Sequence, residues 1–276
     1  MSSPRLAHQQ LGSGPDVLLL HGLGANRAFW FGNLALNLAA DHRVTLYDLR
    51  GHGYSERPAS GYTVGDHAAD LLALMDELEL PQAALVGHSL GGAVALEVAV
   101  QAPRRVRQLA LLDSRIQRLQ PSMYLHEVEP LSAYEQDVAR RAGGDWQREP
   151  EVGLCFIEAA ARLMLATPGE GLRDDYTPFG EGRGARRAAR QFVDLLEQTT
   201  LREDFPQPGA EPTRYPAVDM PTLLLYAQPS RALKSAETLA AALPRARLQT
   251  LAGVGHFFPI THPRPTAEAV RALLAR

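Results

Sequence analysis

The stretch Gly87-His88-Ser89-Leu90-Gly91-Gly92 lies directly between a short apolar run, Ala84 to Val86, and a run of small residues with helical character, Gly91 to Ala102. A chain that passes from strand to helix in so few residues must turn sharply, and the central residue of such a turn takes strained backbone angles. Side chains flanking it would collide with the neighbouring elements, and the glycines at 87 and 91 remove those collisions. The segment therefore calls for a strand–turn–helix unit. The rest of the chain offers more of them. Val17 to Leu20, Val44 to Tyr47 and Val106 to Leu112 read as buried strands, and Ala28 to Ala39 and Val64 to Leu78 as the helices between them. Such alternation is the mark of βα units and a mostly parallel sheet with helices on its faces.

After Asp113 the alternation stops. From Ser114 to Pro216 the pattern is helical at Val138 to Ala142, Phe156 to Leu165 and Ala185 to Gln198, broken by Pro/Gly stretches and without a convincing strand. Strand–helix alternation resumes with Pro221 to Tyr226, Ala236 to Leu243, Arg247 to Leu251 and Pro265 to Leu274. The expected organisation is a core of residues 1–113 and 217–276 interrupted by a helical segment, 114–216. That segment leaves the core at the C-terminal end of a strand, the edge at which ligands bind in open α/β sheets. A lid over the site is the natural interpretation.

Composition excludes several alternatives. Of 276 residues 45% are apolar, and 28 basic against 31 acidic residues give a net charge of −3, which is incompatible with a disordered chain. It also leaves no electrostatic footprint for nucleic acid or an anionic membrane. No run approaches a membrane span, and Met1-Ser2-Ser3-Pro4-Arg5 has no leader-like apolar stretch, so the expected location is cytoplasmic. The single cysteine, Cys155, permits neither an internal disulfide nor a cysteine-built zinc site and reads as a small buried hydrophobe. No metal or cofactor is called for.

The chemistry concentrates in a few residues. Ser89, at the N-terminus of a helix, has its hydroxyl where a developing negative charge is favoured. A serine nucleophile needs two backbone N–H groups for its oxyanion. Leu90 supplies one, and Leu23, in His21-Gly22-Leu23-Gly24 after the first clear strand, is the natural second. His21 itself reads as a loop brace. Gly253-Val254-Gly255-His256-Phe257-Phe258 follows the last strand, and a histidine in a glycine loop at that edge can act as general base to Ser89.

These segments, with Asp48-Leu49-Arg50-Gly51-His52-Gly53-Tyr54-Ser55, resemble those of α/β-hydrolase-fold serine enzymes with a helical cap. The resemblance implies the α/β-hydrolase fold with the cap inserted after the sixth strand, and a mainly structural role for the 48–55 loop. It is nearly silent on substrate, because the fold hosts many reactions. An aspartate in place of Ser89 marks the family's dehalogenases and epoxide hydrolases, which argues against those activities. The resemblance also implies an acid that orients the histidine, most often in a G-x-x-D stretch after the strand at Pro221 to Tyr226. Here that stretch reads Ala227-Gln228-Pro229-Ser230-Arg231, with Ser230 in the acid's place. Three options follow: Asp113, at the end of the preceding strand; Ser230 or a backbone carbonyl, giving a weakened dyad; or a reaction that needs no triad. Glu127 and Glu129 are further carboxylates that nothing in the sequence places at the site.

Asp113 is the preferred acid, and the leading expectation is cleavage of a carboxylic ester or thioester through an acyl-enzyme. The acyl substrate is a small molecule, free or attached to a carrier protein or CoA. The alternatives are a biosynthetic acyltransferase, thioesterase or non-hydrolytic cyclase/lyase, and a catalytically silent small-molecule-binding protein. In the helical segment Arg183, Arg186, Arg187 and Arg190, with Asp174, Asp175 and Glu181 upstream, form either an anion grip or a solvated face. Trp146, Phe156, Leu163, Met164 and Phe192 either line an acyl pocket or pack the segment, with packing favoured for most of them.

Overall fold

In the computed structural model, which describes residues 3–167, 179 and 182–276, the strands are β1 (His8–Leu11), β2 (Asp16–Leu20), β3 (Arg43–Tyr47), β4 (Ala83–His88), β5 (Val106–Leu112), β6 (Thr222–Gln228) and β7 (Ala246–Ala252). They form one sheet in the order β1-β3-β2-β4-β5-β6-β7. Only the β1–β3 pair is antiparallel; every other neighbouring pair is parallel. The helices, in chain order, are α1 (Ala28–Trp30) and α2 (Leu36–Leu38), joined by a π-turn at Phe31–Ala35, then α3 (Val64–Glu77), α4 (Leu90–Gln101), α5 (Ala133–Ala142), α6 (Val152–Ala166), α7 (Gly182–Gln198), α8 (Leu201–Asp204), α9 (Leu233–Ala242), α10 (Phe258–Thr261) and α11 (Pro263–Leu274).

Strand residues alternate between two apolar layers because successive side chains point to opposite sheet faces. Leu18, Leu20, Leu85, Leu109, Leu111 and Leu224 join α3, α4 and α9 on one side. Val17, Leu19, Val86, Ala110, Leu112 and Leu225 join α1, α2 and α11 on the other. Capping boxes start α3 at Thr63/Asp66 and α5 at Ser132/Glu135.

Two expectations need correction. The strand β1 was not anticipated, because His8-Gln9-Gln10-Leu11 is short, polar and pairs at the sheet's edge. The helical segment follows β5, the fifth strand of the chain, not a sixth: among the described residues a single strand precedes β2. Between β5 and β6 lie α5 to α8, short 3-10 turns and one isolated bridge, Met123–Glu151. Its buried residues, among them Val138, Leu154, Ala189 and Phe192, belong to the same apolar layer as α3 and α4. Among the described residues this segment shares the core's hydrophobic layer and has no separate one.

The sheet reverses its order of growth at β2. The chain adds β3 on one side of it and β4 on the other, so the C-terminal ends of β2 and β4 flank a switch point, where α/β sheets leave a crevice. The 48–55 loop beside it is anchored from within. Arg50 grips Asp70 of α3 with two hydrogen bonds of 2.5 Å each, and the two residues are only 8% and 3% exposed. Burial pushes the Asp70 carboxyl above its usual range, while the Arg50 guanidinium opposes that shift. Removing one partner of a buried pair leaves the other uncompensated. Arg50→Leu is expected to lower the free energy of unfolding by about 3–5 kcal/mol, read as a fall in the urea midpoint. A loss below about 1 kcal/mol would contradict this anchoring role.

Candidate active site

Ser89 stands between β4 and α4 with φ 55° and ψ −121°, a conformation that an L-residue keeps only when its surroundings over-determine it. The surroundings do so. A Cβ on Gly87 would strike the Gly91 carbonyl, and a Cβ on Gly91 would strike the carbonyl of Leu20 at the end of β2. A Cβ on Gly22 would lie 3.0 Å from the Ser89 Cβ, so the loop after β2 passes directly over the serine. Its backbone N–H donates to the Leu112 carbonyl of β5 at 3.0 Å, and its own carbonyl accepts from Gly92 at 3.0 Å.

The Gly22–Ala25 turn closes through the Ala25 N–H to the Gly22 carbonyl at 3.2 Å. Leu23 occupies its second position, next to the glycine that touches Ser89. Leu90 is the first residue of α4, where backbone N–H groups have no intrahelical acceptor.

Two buried histidines hold this loop. The Leu49 N–H donates to His21 Nε2 at 3.0 Å, so His21 Nδ1 carries the proton and donates to the Gly22 carbonyl at 2.8 Å. The Gly24 N–H donates to His52 Nε2 at 3.1 Å, and His52 Nδ1 donates to the Arg50 carbonyl at 2.9 Å. Each ring must be neutral to play both parts. Burial, with His52 nearby, lowers the His21 pKa to about 3, and burial lowers that of His52 as well. His21 is thus a brace between the loops after β2 and β3. Asp48 anchors the second of these loops from one point: it accepts from the Arg27 N–H at 2.7 Å and the Tyr54 N–H at 2.9 Å, and it pairs with the Arg27 guanidinium.

Asp113 and His256 come together. Asp113 follows β5 with φ 48°, is 3% exposed, and holds His256 Nδ1 at 2.7 Å through Oδ2. Its other oxygen accepts from the Ala227 N–H at 3.2 Å, which fixes the carboxylate against β6. The side chain of His256, in the loop after β7, is 41% exposed. Ser230 does not take the acid's part: its hydroxyl accepts from the Ala232 N–H at 3.0 Å inside its own loop. Glu127 and Glu129 are exposed, and Glu129 pairs with His126 at 3.3 Å.

The helical segment closes on the loop after β2. A Cβ on Gly24 would meet Ile157 of α6, Phe179 and Phe192 of α7 at 3.4–3.5 Å. Trp146 and Phe156 pack on one another at 5.9 Å, and Phe156 on Tyr134 at 6.0 Å. The arginine group divides. Arg186 donates to the Met164 and Leu165 carbonyls at 2.5 and 3.1 Å and so satisfies the C-terminus of α6. Arg187 lies over the Tyr54 ring at 5.4 Å, Arg27 lies 5.5 Å from the same ring, and Arg190 is exposed. Asp174, Asp175, Glu181 and the Arg183 side chain lie outside the described residues. Burial pushes the Cys155 thiol up to about 12, which keeps it a thiol. Among the described residues no group of three or more His, Cys, Asp or Glu is arranged to hold a metal ion, and no helix is long and apolar enough to cross a membrane.

The fold is that of the α/β-hydrolase superfamily. The chain belongs to that family: its sequence profile, described as the alpha/beta hydrolase fold, matches residues 15–263. A putative carbamate hydrolase of Pseudomonas syringae pv. syringae is 30% identical over 278 residues, covering 96% of both chains. The 2-(acetamidomethylene)succinate hydrolase of Mesorhizobium japonicum is 37% identical over 234 residues, 74% of this chain and 83% of the relative. The solved enol-lactonase of Burkholderia xenovorans superposes with a TM-score of 0.67 at 22% identity, over 99% of this chain and 97% of the other, a likeness of fold. With uncharacterized mycobacterial proteins the identity is 41% over 110 residues, and the match spans 32% of their length.

The buried neutral histidines tie stability to pH. His21, His52, His67 and His88 all have folded-state pKa values below the ordinary 6.5, chiefly through burial. The unfolded chain therefore binds protons that the folded chain refuses, so stability is full above pH ~6.5 and falls as pH drops below it. Each such histidine contributes up to about 1.4 kcal/mol per pH unit. The urea midpoint is expected to fall steadily between pH 6.5 and 5; a flat profile over that range would contradict the neutral assignments.

Proposed function

We propose that this protein is a serine hydrolase that cleaves a carboxylic ester or thioester through an acyl-enzyme intermediate. The observation that carries the reading is the 2.7 Å bond from His256 Nδ1 to a buried Asp113, at the same sheet edge as the strained Ser89. A ring whose Nδ1–H is held by a carboxylate presents Nε2 as the base.

In this mechanism Ser89 Oγ attacks the acyl carbonyl carbon and its proton passes to His256 Nε2. The carbonyl oxygen becomes an oxyanion, held by the backbone N–H groups of Leu23 and Leu90. His256 returns the proton to the departing alkoxide or thiolate as the acyl–Ser89 ester forms. A water, deprotonated by His256, then attacks that ester; the acid leaves and Ser89 regains its proton. Asp113 keeps the ring in the correct tautomer and stabilises the imidazolium that forms in each half. The relatives named for hydrolysis of a carbamate and of 2-(acetamidomethylene)succinate support attack at a carbonyl carbon of a small molecule.

Residues 114–216 act as a cap in this reading. Ile157, Phe179 and Phe192, packed over Gly24 beside the oxyanion loop, favour an apolar acyl group over a charged one. Arg186 is engaged with two α6 carbonyls, which favours a helix-capping role for it over the anionic grip the sequence also suggested.

Steady-state hydrolysis of p-nitrophenyl butyrate tests the assignment. Ser89→Ala is expected to fall to background. Asp113→Asn is expected to lower kcat by about 10³–10⁴-fold with little change in KM, as when a triad loses its acid but keeps its geometry. An Asp113→Asn enzyme within about threefold of wild type would remove Asp113 from the mechanism.

A further inference from the structure

His88, the residue before Ser89, closes β4 with a ring only 1% exposed. Phe29 stacks on one side of it at 4.8 Å and 17°, and the His256 ring packs against it at 4.6 Å. Its Nε2 lies 2.9 Å from the His256 carbonyl oxygen. A carbonyl only accepts, so Nε2 carries the proton and Nδ1 is bare. That Nδ1 is buried with no hydrogen-bond partner among the described residues, in a space where a Cβ on Gly22 would come within 3.2 Å. Burial first, and the adjacent His256 second, hold the ring neutral by lowering its pKa well below the ordinary value.

This bond ties together two elements that are remote in sequence, 168 residues apart. The 253–257 loop contains two glycines and is largely exposed. Among its other main-chain ties are Gly253 N–H to the Gln228 carbonyl at 3.2 Å and Phe258 N–H to the Gly255 carbonyl at 3.0 Å. The former reaches β6 and the latter stays within the loop. Neither reaches β4, the strand that carries the serine.

We propose that His88 is a positioning residue: its Nε2–H holds the His256 carbonyl and so fixes the general base relative to the adjacent nucleophile. The proposal rests on the serine-hydrolase reading for its effect on turnover, but the restraint on the loop stands on its own. A misplacement of a base by about 1 Å costs on the order of 10²-fold in rate. The neutral ring also leaves the imidazolium of His256 unopposed by a second positive charge in contact with it.

The test compares wild type, His88→Phe, which keeps a ring without the donor, and His88→Gln, whose amide N–H reaches about as far as Nε2. Two readouts are taken: kcat and KM on p-nitrophenyl butyrate, and the far-downfield proton resonance of the His256–Asp113 bond, which needs no turnover. In His88→Phe the resonance is expected to broaden or vanish through exchange, and kcat to fall about 10- to 100-fold with KM within about threefold. His88→Gln is expected to recover most of both. A wild-type resonance and kcat in His88→Phe, or a His88→Gln enzyme no better than His88→Phe, would overturn the proposal. If wild type is inactive the hydrolase reading fails, and the resonance alone decides the positioning role. If His88→Phe does not fold, His88→Asn takes its place: its shorter amide cannot reach the carbonyl, so it must lose the resonance that His88→Gln retains, and equal signals would refute the restraint.

Discussion

The turn from β4 into α4 leaves no room for side chains. Gly87 abuts the Gly91 carbonyl, Gly91 abuts the Leu20 carbonyl and Gly22 rides over Ser89. Three stretches of main chain therefore meet within van der Waals contact, and every other part of the site is placed with respect to them. Substituting Gly22 or Gly91 would push the end of β2 and the loop after it away from Ser89 and the start of α4, and a side chain at Gly87 would push the end of β4 from α4. The switch in sheet order at β2 brings these ends side by side. The sheet's two apolar layers hold them there.

Around that contact the polar groups act as braces on loops. His21 and His52 join the loop after β2 to the loop after β3, each with one ring nitrogen donating and the other accepting. Arg50 and Asp70 anchor the second loop to α3. Asp113 bridges β6 and the loop after β7 by dividing its two oxygens between the Ala227 N–H and His256. Because β5 and β6 are neighbours, a carboxylate at the end of either can approach the same histidine. This is the physical reason that Ser230 can stand where an acid is expected without stripping His256 of a carboxylate.

Much of this was legible in the sequence. The strand–turn–helix context of Ser89, the glycine loop before His256 and the order of strands and helices all rest on local patterns, and the meeting of Asp113 with His256 follows from the neighbouring of two strands. What was not legible depends on contacts remote in sequence. The β1 strand is polar and short, and only its pairing with β3 makes it a strand. The run from Ala28 to Leu38 has helical periodicity throughout, which conceals the π-turn in its middle. Arg186 looks like one of a charged group, yet its partners are carbonyls of α6 about twenty residues earlier. The bond from His88 to the His256 carbonyl involves a main-chain group, for which no residue type is a signal.

The central claim is that Ser89 is an activated nucleophile served by His256. The most direct measurement is incubation of the purified protein with a fluorophosphonate, with the added mass located by peptide mass spectrometry. Rapid labelling confined to Ser89, and lost in His256→Ala, is the expected result. A folded protein that takes no label, or that is labelled equally fast without His256, would contradict the claim.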